Sequence, residues 1–292
     1  MEIIIGKNAG FCYGVEKAVE TTKLELEKYG NIFCLGELVH NSRVVKQLEE
    51  SGLKTIEDIE ETESNVSNNV IIRAHGVSKQ TYEKAKKLNI NLIDLTCPNV
   101  LKIHKIVEEY ANNNYFIIII GSKKHPETIG SFGFAGTSSY IVEKQEDIKD
   151  ALKNLEQSQK NKLLVVVQTT FSLSKFNEFV DIIKNNVNEN IENEIKNTIC
   201  NATKLRQEET ERLAKIVDCM IIIGGKNSSN TKKLYEIAQC NCNNCFLIEN
   251  LNELEDIKQF STFNKIGIMA GASTPNEHIE EVRKYCYKLT LK

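Results

Sequence analysis

Short apolar runs alternate with amphipathic stretches along the whole chain. Runs of three to six residues rich in Ile, Val and Leu are typical of buried strands, and apolar residues spaced three or four apart are typical of helices. Strands that alternate with helices in this way predict parallel α/β units. The predicted strands are EIII, NIFCL, VIIRA, NLIDL, YFIIII, YIV, LLVVV, CMIII, CFLI and KIGIM.

The chain also contains a longer repeat, which spans several of these strands and helices. Three times a predicted strand leads to a cysteine that a helical stretch follows, at Cys12, Cys97 and Cys200, which are 85 and 103 residues apart. After each of these helices come two further strands, and each strand ends in a polar loop that opens another helix. A threefold repeat of about this length predicts three small domains.

The third repeat lacks the closing strand that the first two have in NLIDL and IENEIKNTI. The N-terminal strand EIII is predicted to fill that position. We therefore expect α/β domains at 13–97, 98–199 and 200–292 around a pseudo-threefold axis, with the N-terminal segment 1–12 completing the third. The segment 240–248 is predicted to contribute a variable strand to that third domain.

The composition narrows the class of protein. The chain has 292 residues, 41% of them hydrophobic and 26% charged, with a net charge of -3. This balance gives no reason to expect a nucleic-acid or membrane partner. The apolar runs are too short to span a bilayer, and the N-terminus lacks the features of a signal peptide. We expect a cytoplasmic protein whose nine cysteines serve metal binding or redox chemistry rather than disulfides.

The three repeated cysteines are the strongest candidate site. Ligands of parallel sheets bind beyond the carboxyl ends of the strands, so Cys12, Cys97 and Cys200 are expected to converge. A structural zinc site usually draws four ligands from local Cys-x-x-Cys pairs, which these cysteines lack. An iron–sulfur cube held by three thiolates fits better and leaves one iron open to act as a Lewis acid. The alternative is three small buried residues, which their shared register argues against.

The remaining cysteines are interpreted as structural. The segment QCNCNNC has a tight, metal-like spacing, but it lies in an asparagine-rich turn without a counterpart in the other repeats. Its thiols are therefore interpreted as incidental. The other three fall on apolar faces of strands or helices, where core packing is expected. The thiols interpreted as incidental are those of Cys240, Cys242 and Cys245. The thiols expected to pack in the core are those of Cys34, Cys219 and Cys286.

Three of the five histidines lie in loops that follow strands, at His40, His75 and His125. Imidazolium groups and neighbouring helix N-termini both favour an anion, so three histidines in equivalent loops suggest a phosphate site. His104 and His278 lie in helical stretches, where surface or packing roles are expected.

The third repeat offers short polar side chains in the same loops. Ser228, Ser229 and Asn230 occupy one predicted helix start, and Ser273 precedes another. Such residues cap helices in many proteins, and capping is compatible with phosphate binding at the same helix end.

Glu127 is interpreted as the only carboxylate of these polar loops. It follows Pro126 at a predicted helix start, where an acidic residue is favoured by the helix dipole. It is also a candidate proton donor to a reacting oxygen. Thr169 and Thr170 supply hydroxyls that could orient that proton.

Nine motifs in this order resemble the 4-hydroxy-3-methylbut-2-enyl diphosphate reductase family, also called IspH or LytB. The resemblance covers nearly the whole chain. The motifs are GFCYGVEKAV, GELVHN, RAHGV, DLTCPNV, GSKKHPETIG, QTT, TICNATKLRQ, GGKNSSNT and AGASTP.

The resemblance implies a trefoil of three α/β domains around a 4Fe-4S cluster with one open iron site. It implies reductive dehydroxylation of an allylic diphosphate to isopentenyl and dimethylallyl diphosphate, the last step of the non-mevalonate isoprenoid route. It implies ferredoxin or flavodoxin as electron donor. The implied cluster ligands are Cys12, Cys97 and Cys200; the implied proton donor is Glu127, with Thr169 in the relay; the implied diphosphate contacts are His40, His75, His125, Ser228, Ser229, Asn230 and Ser273.

Two alternatives stay open at the level of sequence. A hydro-lyase that uses the same open iron would need no electron donor, so dependence on a reductant separates it from a reductase. A binding module stabilised by zinc, or sensing a cluster, would differ in its metal content and colour.

Overall fold

A computed structural model describes residues 2–62, 67–255 and 262–289. Within these residues the chain forms twelve strands, all paired in parallel. The strands are β1 (Glu2–Ile5), β2 (Ile32–Leu35), β3 (Leu53–Ile56), β4 (Asn69–Ile72), β5 (Asn91–Asp94), β6 (Phe116–Ile120), β7 (Ser139–Val142), β8 (Lys162–Val167), β9 (Glu192–Ile195), β10 (Cys219–Ile223), β11 (Cys245–Ile248) and β12 (Lys265–Ala270).

Helices connect these strands throughout, and a short 3₁₀ helix covers Ile59–Glu61. The α-helices are α1 (Tyr13–Tyr29), α2 (Ser42–Glu50), α3 (Lys79–Lys87), α4 (Pro98–Asn112), α5 (Pro126–Phe132), α6 (Asp147–Gln157), α7 (Leu173–Asn186), α8 (Asn201–Ala214), α9 (Ser229–Asn241), α10 (Asn252–Glu255) and α11 (Asn276–Leu289). The predicted α/β class is therefore confirmed.

The strands form three four-stranded sheets, in the orders β1-β12-β10-β11, β3-β2-β4-β5 and β7-β6-β8-β9. The N-terminal strand pairs with β12, with Ile3 opposite Ile266, as the missing strand of the third repeat predicted. By contacts the chain divides into two compact units. The first, residues 1–16, 39–48 and 201–292, holds the sheet that contains β1. The second, residues 17–38 and 49–200, holds the other two sheets. The predicted boundaries at 13–97, 98–199 and 200–292 stay a prediction.

All ten predicted apolar runs are strands, and the predicted continuation IENEIKNTI supplies β9. The sequence did not indicate β3, whose central residues are Lys54 and Thr55. Only its end residues, Leu53 and Ile56, are buried. An edge strand of four residues with two polar members carries little hydrophobic signal.

The second unit shows how the sheets are covered. Strand β6 is buried throughout, and its alternate side chains point to opposite faces. Ile118 packs in the same cluster as Phe176 of α7, whereas Ile117 packs with Ile103 and Val107 of α4. Because both faces are covered by helices, the strand reads as a continuous apolar run. The polar loops that follow the strands are thereby left at one edge of each sheet.

Candidate active site

Two of the repeated cysteines lie in the second unit, and each immediately precedes a helix. Cys97 is the N-cap residue of α4, and Cys200 directly precedes α8. The backbone N–H of Cys97 donates to the carbonyl of Ala74, at 3.0 Å, and that of Cys200 donates to the carbonyl of Thr169, at 3.2 Å. Each cysteine is therefore tied to a loop that follows a neighbouring strand.

Cys12, in the first unit, has the same local surroundings. It directly precedes α1, and its N–H donates to the carbonyl of Ala272 at 3.2 Å. Like Cys97 and Cys200 it is a half-buried thiol. The predicted register of the three cysteines thus extends to a shared backbone hydrogen bond. A half-buried thiol at the start of a helix is accessible to a metal, and cysteine thiolates are the usual ligands of iron–sulfur clusters.

The thiols of Cys34, Cys219 and Cys286 are more deeply buried than those of the three repeated cysteines. All three are fully buried, as predicted from their positions on strand and helix faces, and Cys219 and Cys286 pack in one apolar cluster. Burial raises the pKa of Cys34 and of Cys286 to about 12, and it raises that of Cys219 as well. A thiol that stays protonated in an apolar environment is a packing residue.

The QCNCNNC segment spans the end of α9 and the start of β11. Cys240 is exposed, whereas Cys242 is buried and its Sγ lies 3.4 Å from the carbonyl oxygen of Asn244. Burial raises the pKa of Cys245 to about 12. The segment lies at the C-terminal end of α9, whereas each repeated cysteine directly precedes a helix. These features agree with the interpretation that these thiols are incidental.

In the second unit, Glu127 and Thr169 form a buried pair. The backbone N–H of Thr169 donates to Glu127 Oε1 at 2.6 Å, and the Thr169 hydroxyl donates to Glu127 Oε2 at 2.7 Å. Only 2% of the surface of Glu127 is exposed. The same Thr169 accepts the N–H of Cys200, so the carboxyl group is linked through one residue to a candidate ligand.

Burial raises the pKa of Glu127 to about 7, although both hydrogen bonds from Thr169 act to lower it. A carboxyl group with such a pKa exists in both protonation states near neutral pH. This is the property required of a residue that delivers a proton at that pH.

Two predicted histidines lie beside this pair. His125 is the N-cap residue of α5, and its Nδ1 accepts the backbone N–H of Glu127 at 3.2 Å. The ring of His75 meets that of His125 edge to face, with centroids 5.3 Å apart. The structure thus brings four predicted residues of the second unit together. They are His75, His125, Glu127 and Thr169.

Gln168 completes this region and was not selected from the sequence. Its Oε1 accepts from the backbone N–H of Ser122 at 3.1 Å and from the hydroxyl of Thr128 at 3.3 Å. Its Nε2 donates to the hydroxyl of Thr170 at 2.8 Å. One buried amide therefore ties the ends of β6 and β8 to the first turn of α5. Its place inside the QTT motif was the available signal.

In the first unit, the start of α9 carries three predicted residues. Ser228 caps the helix, since its hydroxyl accepts the N–H of Thr231 at 3.3 Å. Ser229 and Asn230 are the first two helical residues. Asn230 is 4% exposed, yet neither atom of its amide group has a hydrogen-bond partner among the described residues. A buried amide without partners is costly unless a ligand supplies them.

His40 and Ser273 also lie together in the first unit. The hydroxyl of Ser273 donates to the carbonyl of His40 at 3.1 Å. A Cβ atom on Gly225 would lie 2.4 Å from that same carbonyl oxygen, so the chain at His40 packs directly on the glycine. The segment that carries His40 is thereby fixed against the loops that carry Ser228 and Ser273.

Other residues of the post-strand loops behave differently. The interpretation of Glu127 as the only carboxylate of these loops is wrong, because Glu37 and Glu277 also lie near strand ends. Both of those residues are exposed, so burial rather than position distinguishes Glu127. His104 and His278 are each 3% exposed, which confirms the packing role and excludes the surface role. Burial lowers the pKa of His104 to about 4, so its ring is neutral.

The model of the LytB protein family matches residues 3–287 of this chain. The chain belongs to the LytB family. This confirms the resemblance seen in the motifs. Individual members of the family match nearly the whole chain. A 4-hydroxy-3-methylbut-2-enyl diphosphate reductase from Clostridioides difficile is 43% identical and covers 97% of this chain and 98% of its own. One from Aquifex aeolicus is 39% identical and covers 97% of this chain and 95% of its own.

Solved structures of LytB-type reductases agree. The E-1-hydroxy-2-methyl-but-2-enyl-4-diphosphate reductase of Plasmodium falciparum has a TM-score of 0.86 and 34% identity, over 97% of this chain and 87% of that one. A second structure, described as the terminal enzyme of the non-mevalonate pathway, has a TM-score of 0.70 and 38% identity, over 99% and 100%. Among the described residues, no helix is both long and apolar enough to cross a bilayer.

Proposed function

We propose that this chain catalyses the reductive dehydroxylation of 4-hydroxy-3-methylbut-2-enyl diphosphate to isopentenyl and dimethylallyl diphosphate, the last step of the non-mevalonate isoprenoid route. Membership of the LytB family and the reductase names of its relatives support this. The observation that carries the proposal is the buried Glu127–Thr169 pair, because expulsion of a hydroxyl group requires a proton at a defined position.

The proposed cofactor is a 4Fe-4S cluster held by Cys12, Cys97 and Cys200, with one iron left open. The three half-buried thiols at helix starts fit such a ligand set, whereas the fully buried thiols do not. When bound, the cluster supplies electrons one at a time and an open coordination position for the substrate oxygen.

Glu127 is the proposed proton donor. The reaction breaks the allylic C–O bond, forms one C–H bond and releases water, and it consumes two electrons and two protons. Glu127 supplies the proton that converts the departing hydroxyl group to water. Thr169 holds both carboxyl oxygens, so that the group is oriented before the bond breaks. Protonation at either end of the allyl unit accounts for two products.

The proposed diphosphate site consists of short neutral donors and histidines. Such donors can satisfy phosphate oxygens without burying unpaired charges of the protein. The buried, unpartnered amide of Asn230 is the strongest single indication, since phosphate oxygens would supply acceptors for its nitrogen. The site comprises His40, His75, His125, Ser228, Ser229, Asn230 and Ser273. A ferredoxin or flavodoxin as electron donor and a cytoplasmic location complete the proposal.

The decisive experiment measures iron and sulfide per chain in protein purified without oxygen, followed by turnover with a reduced viologen dye. We expect a brown protein that forms both products only when reductant is present. Cys200→Ser is expected to lose the iron because a hydroxyl group is a poor iron ligand. The matched control replaces Cys240, Cys242 and Cys245 with Ser and retains it. Turnover without reductant would indicate a hydro-lyase. Iron loss in the control but not in Cys200→Ser would show that Cys240, Cys242 and Cys245 hold the cluster instead.

A further inference from the structure

Helix α8 has an unusual inner face. An amphipathic helix normally buries a stripe of apolar residues, but the first turns of α8 bury polar and charged side chains instead. Only its C-terminal end, at Leu213 and Ala214, is apolar and buried. The buried polar residues are Thr203, Arg206, Gln207, Glu209 and Thr210.

Glu209 binds the loop that follows β1. Its two carboxylate oxygens accept the backbone N–H groups of Lys7 at 2.9 Å and of Asn8 at 2.8 Å, and also the side-chain amide of Asn8 at 2.9 Å. Burial acts to raise the pKa of Glu209, but these hydrogen bonds outweigh it and the pKa lies below its ordinary value. The carboxylate is therefore ionised at neutral pH, where it accepts all three bonds.

Arg206, one turn earlier on the same helix, binds the next part of this loop. Its Nη2 donates to the carbonyl of Gly10 at 2.6 Å, and its Nη1 donates to the carbonyl of Ala202 at 3.0 Å. Gly10 has a φ of +96°, a conformation that residues with a side chain rarely adopt. The loop is therefore turned so that this carbonyl faces the guanidinium group.

The loop between Lys7 and Gly10 leads directly to Cys12, which is itself tied to Ala272 through its N–H. Contacts from α8 thus fix the chain just before the cysteine, and the bond to Ala272 fixes the cysteine itself. We propose that Arg206 and Glu209 are positioning residues that hold the Cys12 thiol ready to bind the cluster. This rests on the proposed ligand role of Cys12.

The two residues could instead serve stability alone. In that case their loss would expose the three ligand cysteines to a similar degree. If they position Cys12, loss of the Glu209 contacts should act on that thiol and spare Cys97 and Cys200, whose N–H groups donate to Ala74 and Thr169. The relative reactivity of the three thiols therefore separates the two roles.

The test uses full-length Glu209→Gln protein. The new amide places an N–H₂ group against backbone N–H donors, so the carboxylate contacts cannot all be kept. The control is Glu208→Gln, one residue away on the exposed face, where Glu208 lies 3.8 Å from Lys204. Arg206→Lys keeps the charge but not the planar fork, and is expected to give an intermediate effect.

Metal-free, full-length protein is treated anaerobically with iodoacetamide, and the labelled peptides are quantified by mass spectrometry. We expect Cys12 in Glu209→Gln to label about tenfold faster than in the unchanged protein, with Cys97 and Cys200 changed less than about twofold. Equal acceleration at all three thiols, or none, would overturn the proposal.

Because this labelling needs no bound metal, it separates this inference from the proposed function. If Cys12→Ser kept its iron, the ligand assignment would fail. Selective labelling of Cys12 in metal-free Glu209→Gln would still show that α8 holds this loop. Unselective labelling in a chain that does bind iron through Cys12 would reject the positioning role alone.

Discussion

The starts of α5 and α9 occupy the same place in their repeats but differ in chemistry. The second helical residue of α5 is Glu127, and that of α9 is Asn230. Both are buried. Glu127 has both oxygens bonded to Thr169, whereas neither polar atom of the Asn230 amide has a partner among the described residues.

The neighbouring loop explains the difference. Thr169 lies 42 residues after Glu127, and Ala272 lies 42 residues after Asn230. The carbonyl groups of Thr169 and Ala272 each accept the N–H of a repeated cysteine, which fixes the correspondence. Ala272 has no hydroxyl group to offer. The same backbone arrangement can therefore orient a carboxyl group in one repeat and leave a buried amide for a ligand in the other.

The largest predicted effect tests the first half of this comparison. Glu127→Gln keeps the size of the side chain but cannot deliver a proton. We expect turnover of the hydroxylated diphosphate to fall by about 10²–10⁴, the usual share of general acid catalysis. Iron content and pyrophosphate affinity should stay unchanged. Turnover at the original rate would show that the proton comes from water or from the substrate.

The second prediction tests the other half. Asn230→Ala removes the unpartnered amide, and we expect the dissociation constant of pyrophosphate to rise about tenfold to a hundredfold, the value of a hydrogen bond to a charged group. Isothermal titration calorimetry measures this dissociation constant. The control is Asn227→Ala in the same loop, where the side chain is exposed. Equal weakening in both variants would show that Asn230 has no particular role.

Much of this comparison was accessible from the sequence. The apolar runs gave the strands, and the shared register of Cys12, Cys97 and Cys200 gave the repeat. Glu127 and Asn230 were both selected from their loops. Their opposite environments were not predictable, because that of Glu127 depends on Thr169, which lies 42 positions away and which the fold brings into contact with it.

Helix α8 shows a second limit. Periodicity identifies a helix by its apolar stripe, and Arg206 and Glu209 lie where such a stripe would be. Polar residues at those positions are predicted to be solvent-exposed unless their hydrogen-bond partners are known. Those partners are backbone groups of the loop at Lys7 to Gly10, and backbone groups carry no signature in the sequence.

A third prediction concerns stability and pH. The pKa of Glu127 is about 7 in the folded protein against an ordinary value of 4.5. The folded state therefore binds this proton more tightly, and the resulting stability is present below about pH 4.5 and is lost as the pH rises through 7. Gln does not titrate, so Glu127→Gln does not lose this stability. The difference in free energy of unfolding between the variant and the unchanged protein should therefore shift in favour of the variant, by on the order of 2–3 kcal/mol, between pH 5 and pH 8. Denaturant unfolding of both proteins at the two pH values measures it. A difference independent of pH would place the pKa of Glu127 near its ordinary value.

The smallest expected effect separates orientation of the proton from its delivery. Thr169→Val removes the hydroxyl that donates to Glu127 but keeps the backbone N–H that also does. Because that hydroxyl acts to lower the pKa of Glu127, its loss should raise the pKa above 7. The pH above which turnover declines should therefore move upward. Turnover at pH 6 should fall by about tenfold or less, since water can partly replace the hydroxyl. At pH 8 the difference in turnover between the variant and the unchanged protein should be smaller, because a larger fraction of Glu127 keeps its proton in the variant.

The control for this change is Thr170→Val, at the next residue, whose hydroxyl accepts from Gln168. It removes a hydroxyl of the same loop without touching the carboxyl group, so the pH profile should keep its original midpoint. A shift in both variants would mean that the loop as a whole sets the pKa. A downward shift in Thr169→Val would mean that the hydroxyl stabilises the protonated form of Glu127. In that case Thr169 would accept the proton of the carboxyl group, and the asymmetry between Glu127 and Asn230 would rest on the backbone N–H of Thr169 alone.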